Sequence, residues 1–221
     1  MILVGEIEHK IMKNENSQDH KVFEIESESG INEISYFRDI REFFEEVDTD
    51  VIFGIEKLRT KIGNFFWKLI SSIFGYPFLW AAIGLFYSIS FHMHHVGFVI
   101  LFAGLSSLII FPIKERYQRR RPYEKHITLR PLTTQKDFSF PSGHTYYAIV
   151  NAVSLALCYG GLLSFFLALI IGIATGTSRI YLGVHYFSDV LVSLILGILV
   201  SLIIKLFFPL IMVLHVLVLF S

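Results

Sequence analysis

The chain is poor in charge and almost without cysteine. Asp, Glu, Lys and Arg make up 17% of its 221 residues, against about 25% in an ordinary soluble domain. That is too little to cover a water-facing surface. The single cysteine, Cys158, excludes a disulfide scaffold. Residues 69–113 contain no Asp, Glu, Lys or Arg, and residues 138–178 are a second uncharged run. In place of charge there are 53% hydrophobic residues, with 22 Phe and 10 Tyr. The formal net charge is zero, yet 23 of the 38 charged side chains fall in residues 1–61. A polar head followed by an apolar body excludes a soluble enzyme with one compact core, a disordered chain and a nucleic-acid-binding module. What remains is an all-α, polytopic transmembrane bundle.

The uncharged runs predict the spans. Residues 69–113 are too many for one helix at about 20 residues per ~30 Å of hydrocarbon. His92, His94 and His95 divide them into helices near 70–91 and 96–113. Gly160-Gly161 divides the second run into helices near 143–158 and 162–177. A fifth helix is expected from about 188 to 208, with Lys205 and Pro209 marking its exit. The last twelve residues, apolar again, are expected to lie along the interface or return part-way. Residues 55–74 mix Lys57, Arg59, Lys61 and Lys68 with Phe65, Phe66 and Trp67, the pattern of an amphipathic helix at headgroup depth. The expectation is five clear spans plus that helix. Residues 1–50 carry 14 acidic and 5 basic groups and read as a solvated, flexible head, leaving 51–221 as the membrane-embedded domain.

Parity adds a constraint. With one hairpin between the third and fourth helices, the loops 114–142 and 178–188 emerge on the same side, so the groups they carry can meet.

Ionisable groups are expensive beside a bilayer, so those retained there are candidates for function. After Lys61 the chain has four acids and eleven bases, and eight of the bases lie between Lys114 and Lys136. The two same-side loops hold Lys114, Arg121-Pro122, Pro141-Ser142-Gly143-His144, Ser178-Arg179, His185 and Asp189. On a helix, the four-residue spacing would put His185 and Asp189 on one face. A carboxylate there holds one ring nitrogen and leaves the other free as a nucleophile. Lys and Arg neutralise a phosphate, with the guanidinium fork matching its oxygens. Ser142-Gly143 opens a helix whose free N–H groups favour an anion. Two histidines then serve as nucleophile and proton donor in phosphoryl transfer. No acidic cluster suggests a metal, so neither metal nor cofactor enters this reading.

Lys114 with six residues before Arg121-Pro122, Pro141-Ser142-Gly143-His144, and Ser178-Arg179 with five residues before His185 and three more before Asp189 resemble the three signatures of the type 2 phosphatidic acid phosphatase family. Every signature position is filled, and the resemblance covers roughly residues 60–210. It implies a membrane bundle, usually of six helices, that hydrolyses lipid phosphates or diphosphates without metal. His185 would attack phosphorus and form a phosphohistidine, with Asp189 orienting it. His144 would protonate the leaving oxygen and later activate water, while Lys114, Arg121, Ser142, Gly143 and Arg179 would hold the phosphoryl oxygens. Phosphatidate, phosphatidylglycerol phosphate and polyprenyl diphosphate are the substrates implied, with membrane lipids as surroundings and no nucleic acid partner.

Other residues take plainer readings. Arg116, Arg119, Arg120, Lys125, Arg130 and Lys136 read as headgroup anchors or a solvated loop. The three hairpin histidines read as interface residues, His126 as a bystander and Cys158 as packing. Tyr146, Tyr147, Tyr181 and Tyr186 read as lining a lipid entrance or as interface-belt residues. The positive-inside bias, 18 of 19 Lys and Arg on one face, places that face in the cytoplasm. The resemblance implies the outer or lumenal face instead, so the two arguments disagree. The rival from another class is a non-catalytic lipid-phosphate-binding or transport protein on the same fold.

Overall fold

A computed structural model of the chain describes residues 41–219, all backbone there being helix or connecting loop. Residues 1–40 of the acidic head lie outside the described residues. The chain divides into two units, 1–46 and 47–221. Residues 41–46, the described end of the first unit, are helical. The second unit holds everything discussed below.

Helix α1 is described over residues 41–57. Helix α2, Lys61–Phe74, begins where the Thr60 hydroxyl accepts from the Gly63 N–H at 3.0 Å, a side-chain cap for one unpaired donor. Its Ile62, Phe65, Phe66 and Leu69 are exposed while Ser71 is buried. In water that pattern would be inverted; against lipid it is ordinary. Helix α3, Pro77–Phe91, follows after a 49° bend. The expected helix near 70–91 is therefore broken, with Gly75-Tyr76 at the corner and Pro77 starting the next segment.

Helix α4, His94–Ser106, continues through a 3-10 turn into α5, Ile110–Tyr117, and the short α6, Pro122–Lys125. The buried centre is α7, Gly143–Tyr159, packed between α8, Leu162–Tyr181, and α9, Phe187–Leu219. Small residues let these backbones close in. A Cβ on Gly172 of α8 or on Gly197 of α9 would stand 2.3 or 2.2 Å from Ile149 side-chain atoms of α7. Close approach of this kind supports helix association in lipid, where apolar side chains gain nothing by leaving the solvent.

Among the described residues three helical stretches are long and apolar enough to cross a membrane: His94–Lys125, Leu162–Tyr181 and Phe187–Val213. The bent pair α2–α3 makes a fourth if taken as one span. The expected 143–158 helix is present as α7, but its 17 residues reach only about 25 Å. The largest departure is at the C-terminus. Helix α9 does not stop near 208; it runs through Pro209 to Leu219. Proline costs one internal hydrogen bond, and an apolar continuation on both sides of it keeps the helix going where solvent would not compete for the freed carbonyl.

Candidate active site

The polar ends of α5, α7, α8 and α9 and the loops joining them meet at one end of the bundle. Arg121, with no exposed surface, is fixed by donating from Nη1 to the Val184 carbonyl and from Nε to the Asp137 carbonyl, both at 2.7 Å. Its Nη1 lies 3.3 Å from His185 Nε2. On the ring's other side Nδ1 is 3.5 Å from Asp189 Oδ2. The pair is not formed along a helical face as the spacing suggested. His185 sits in the turn before α9, and Asp189 is in that helix's first turn, where its Oδ2 accepts from the Tyr186 N–H at 2.9 Å. An acid three residues into a helix that reaches back to the preceding N–H satisfies an unpaired donor and complements the dipole. Burial of its ring pushes His185 down to about 3, against the Asp189 contact and with help from the Arg121 cation, so the imidazole is neutral near pH 7.

Lys114 and Arg121 share a counter-ion. Asp137 lies 2.8 Å from Lys114 Nζ and 2.7 Å from Arg121 Nη2. Partial burial works to raise this carboxyl, but the hydrogen bond and charge of Lys114, with Arg121 behind them, hold it at about 2.

Arg179 is differently placed. It is 2% exposed, its Nη1 donates to Ser71 Oγ at 2.7 Å, and its Nε and Nη2 are buried without a partner. His144 lies within charge–charge range of Arg179, His185, Lys114 and Asp137, and its Nε2 is likewise buried and unpartnered. A buried donor left unpaired costs about 1–3 kcal/mol, more when charged. These orphaned groups are able to pair with an anion. Helix α7 starts at Gly143, so its first-turn N–H groups lack carbonyl partners within the helix. A Cβ at Gly143 would meet nothing nearer than Ile110 Cγ2 at 4.0 Å, leaving the backbone open to approach. The Ser142 hydroxyl is paired with Thr145 Oγ1 at 2.8 Å.

Several supports were not legible beforehand. Arg119, read as a solvated or headgroup cation, is bonded at 2.6 Å to both Asp189 Oδ1 and Asp48 Oδ2 and lies over the Tyr186 ring at 4.2 Å. Asp48, assigned to the solvated head, is 1% exposed and also accepts from the Ser188 N–H at 2.8 Å. Ser139 Oγ donates to Asp189 Oδ2. The Tyr76 ring meets His144 edge-on at 4.7 Å, and Gly75 leaves room for that imidazole. Tyr146, Tyr181 and Tyr186 are buried and form neither an entrance nor an interface belt. Tyr146, for example, donates to Ser106 Oγ at 2.9 Å within the bundle.

A sequence model of the PAP2 superfamily matches residues 94–212, more than half of the chain. The chain belongs to the PAP2 superfamily. Among its curated PAP2-type relatives, undecaprenyl-diphosphatase BcrC of Bacillus subtilis (strain 168) is 32% identical over 134 residues, 59% of this chain and 66% of that protein. Phosphatidylglycerophosphatase B of the same organism is 32% identical over 116 residues, 48% of this chain and 55% of that protein. The chain thus spans somewhat less than two thirds of the length of these relatives. The crystal structure of a transmembrane PAP2 type phosphatidylglycerolphosphate phosphatase from Bacillus subtilis superposes with a TM-score of 0.63 at 27% identity. That match covers 74% of this chain and 85% of the other. Aquifex aeolicus LpxE shares the fold, with a TM-score of 0.62 at 24% identity over 71% of this chain and 93% of that one. With its apolar helices, this PAP2 chain is an integral membrane protein.

Proposed function

We propose that the chain is a membrane phosphatase that hydrolyses lipid phosphates or diphosphates through a phosphohistidine, without a metal. The observation that carries this is the His185 ring held between Asp189 at 3.5 Å and Arg121 at 3.3 Å, beside buried, unpaired donors on Arg179. His185 Nε2 attacks phosphorus while Asp189 holds the other nitrogen as a donor and steadies the cation that forms. Lys114, Arg121, Arg179 and the Ser142-Gly143 end of α7 bind the phosphoryl oxygens and oppose the charge that spreads over them. His144 gives its proton to the leaving oxygen. It then takes one from water, which attacks phosphorus, breaks the N–P bond and releases inorganic phosphate. The names of the relatives support phosphatidylglycerol phosphate and a polyprenyl diphosphate as substrates, with phosphatidate beside them.

Purified protein in detergent with a chelator is expected to release phosphate from at least one of these lipids. His185→Ala is expected to lower kcat by about a thousandfold or more, as loss of a nucleophile does elsewhere. Full hydrolysis by that variant would remove His185 as nucleophile. A wild-type chain that binds these lipids but releases nothing would instead be a lipid-phosphate binder.

A further inference from the structure

Beside the signature residues lies a polar recess of about 260 Å³. The α2–α3 corner supplies Lys68, Ser71, Ser72 and Tyr76 to its wall, and Gln135 and Arg179 face them. The residues that line it include two cations, hydroxyls and an amide, and no carboxylate. Arg179 presents there a guanidinium that is 2% exposed with two N–H-bearing nitrogens unpartnered. The recess adjoins the reacting groups on two sides. Tyr76 packs against the His144 ring at 4.7 Å, and Gln135 Oε1 is 3.5 Å from Arg121 Nη2. Helices α2 and α3 lie outside the segment matched to the superfamily.

We propose that the recess is a leaving-group subsite for a second phosphate, selecting lipids whose leaving group itself carries phosphate over phosphatidate. This rests on the phosphatase function proposed above. His144 protonates the leaving oxygen, so whatever is bonded to that oxygen lies on the His144 side, where Tyr76 forms the wall. The uncharged diacylglycerol of phosphatidate offers nothing to Lys68 and the Ser71 and Ser72 hydroxyls, whereas a second phosphate in the recess pairs with them while Arg179 holds the phosphoryl being transferred. With a diphosphate, the His185 N–P bond forms at the terminal phosphorus as the bridging P–O bond breaks. The bridging oxygen keeps the electron pair and takes the His144 proton, and a lipid monophosphate departs from the recess. Water then releases the terminal group as inorganic phosphate. Phosphatidylglycerol phosphate offers the same second phosphate through a glycerol spacer.

The test compares kcat/KM for farnesyl diphosphate, phosphatidylglycerol phosphate and phosphatidate, using the full chain and its Lys68→Gln variant. Lys68 is exposed, so its replacement leaves the fold intact. The expected result is a wild-type preference for at least one of the first two lipids. The variant is expected to lower that preference about tenfold, mainly through KM, as loss of one charge-assisted contact does. A change confined to farnesyl diphosphate places the second phosphate across a bridging oxygen; a change confined to phosphatidylglycerol phosphate places it across the glycerol. A preference unmoved by Lys68→Gln overturns the subsite while hydrolysis itself still stands. If the wild type hydrolyses none of the three, the phosphatase function falls and the subsite falls with it.

Discussion

The site is walled by two regions that contribute in opposite ways. Residues 94–212 bring the ionisable groups: Lys114, Arg121, His144, Arg179, His185 and Asp189. Residues 47–91 bring few such groups and mostly shape: a hydroxyl at Ser71, an absent side chain at Gly75, a ring edge at Tyr76. Asp48 and Lys68 are the exceptions: Asp48 acts at one remove, through Arg119, and Lys68 lines the adjoining recess. Groups that do chemistry can thus be concentrated in a few motifs, while their aim is set by neighbours far off in sequence that carry no motif.

The strongest challenge to that contrast is Gly75→Ala. The new Cβ would stand 2.6 Å from His144 Cδ2 and 2.6 Å from the Ser71 carbonyl oxygen, both closer than atoms pack. The imidazole must move, and a misplacement of about 1 Å costs on the order of a hundredfold in rate. The expected outcome is that loss in kcat in a variant that still folds, judged by its thermal midpoint. A kcat within twofold of wild type would show that the second region does not aim the first.

Arg119→Ala sharpens the same contrast. It removes the donor to Asp189 Oδ1 and leaves Asp48 buried without its cation. The expected effect is a fall in kcat of about tenfold with KM little changed, since a charged hydrogen bond is worth about 1.5–3 kcal/mol. Arg119→Lys is expected to recover part of it. A loss entirely in KM would make Arg119 a binding group instead.

The smallest effect is an expected flat line. With its pKa pushed down to about 3 by burial, His185 stays neutral as the pH falls from 8 to 5, whereas an ordinary imidazole would protonate near 6.5. Nitrogen NMR of the labelled imidazoles, with His185→Gln to assign the signal, is expected to show no titration of His185 in that range. A midpoint near 6.5 would mean that the ring is wetter than its 1% exposure.

Much of the architecture was legible because membranes penalise charge so heavily. The gaps at 69–113 and 138–178 located four helices, and parity alone put the two charged loops together. Arg119 to Asp189 at 2.6 Å and Arg121 to His185 at 3.3 Å show those loops in contact. Four features escaped for specific reasons. The bend at Gly75-Tyr76 depends on the fit of a glycine against a ring that is distant in sequence. The passage of α9 through Pro209 depends on lipid-like surroundings, which weaken the usual rule that proline ends a helix. Arg119 sits among eight bases in 23 residues, and composition cannot tell which of them turns inward. Gly183 belongs with these: at φ +79°, a Cβ there would come within 2.7 Å of Arg59 Nη2. Arg59 in turn donates to the Tyr181 carbonyl at 2.9 Å, tying the loop that carries His185 to the start of α2.

The carboxylate of Asp137 has a consequence for how an anion enters. Asp137 sets one negative charge against two of the site's cations, Lys114 and Arg121, so a ligand arriving there competes with a single occupant. Its gain is the difference between two ion pairs, far smaller than the attraction of two bare cations. That partial cancellation weakens the pull on any passing phosphate and eases the departure of a bound one.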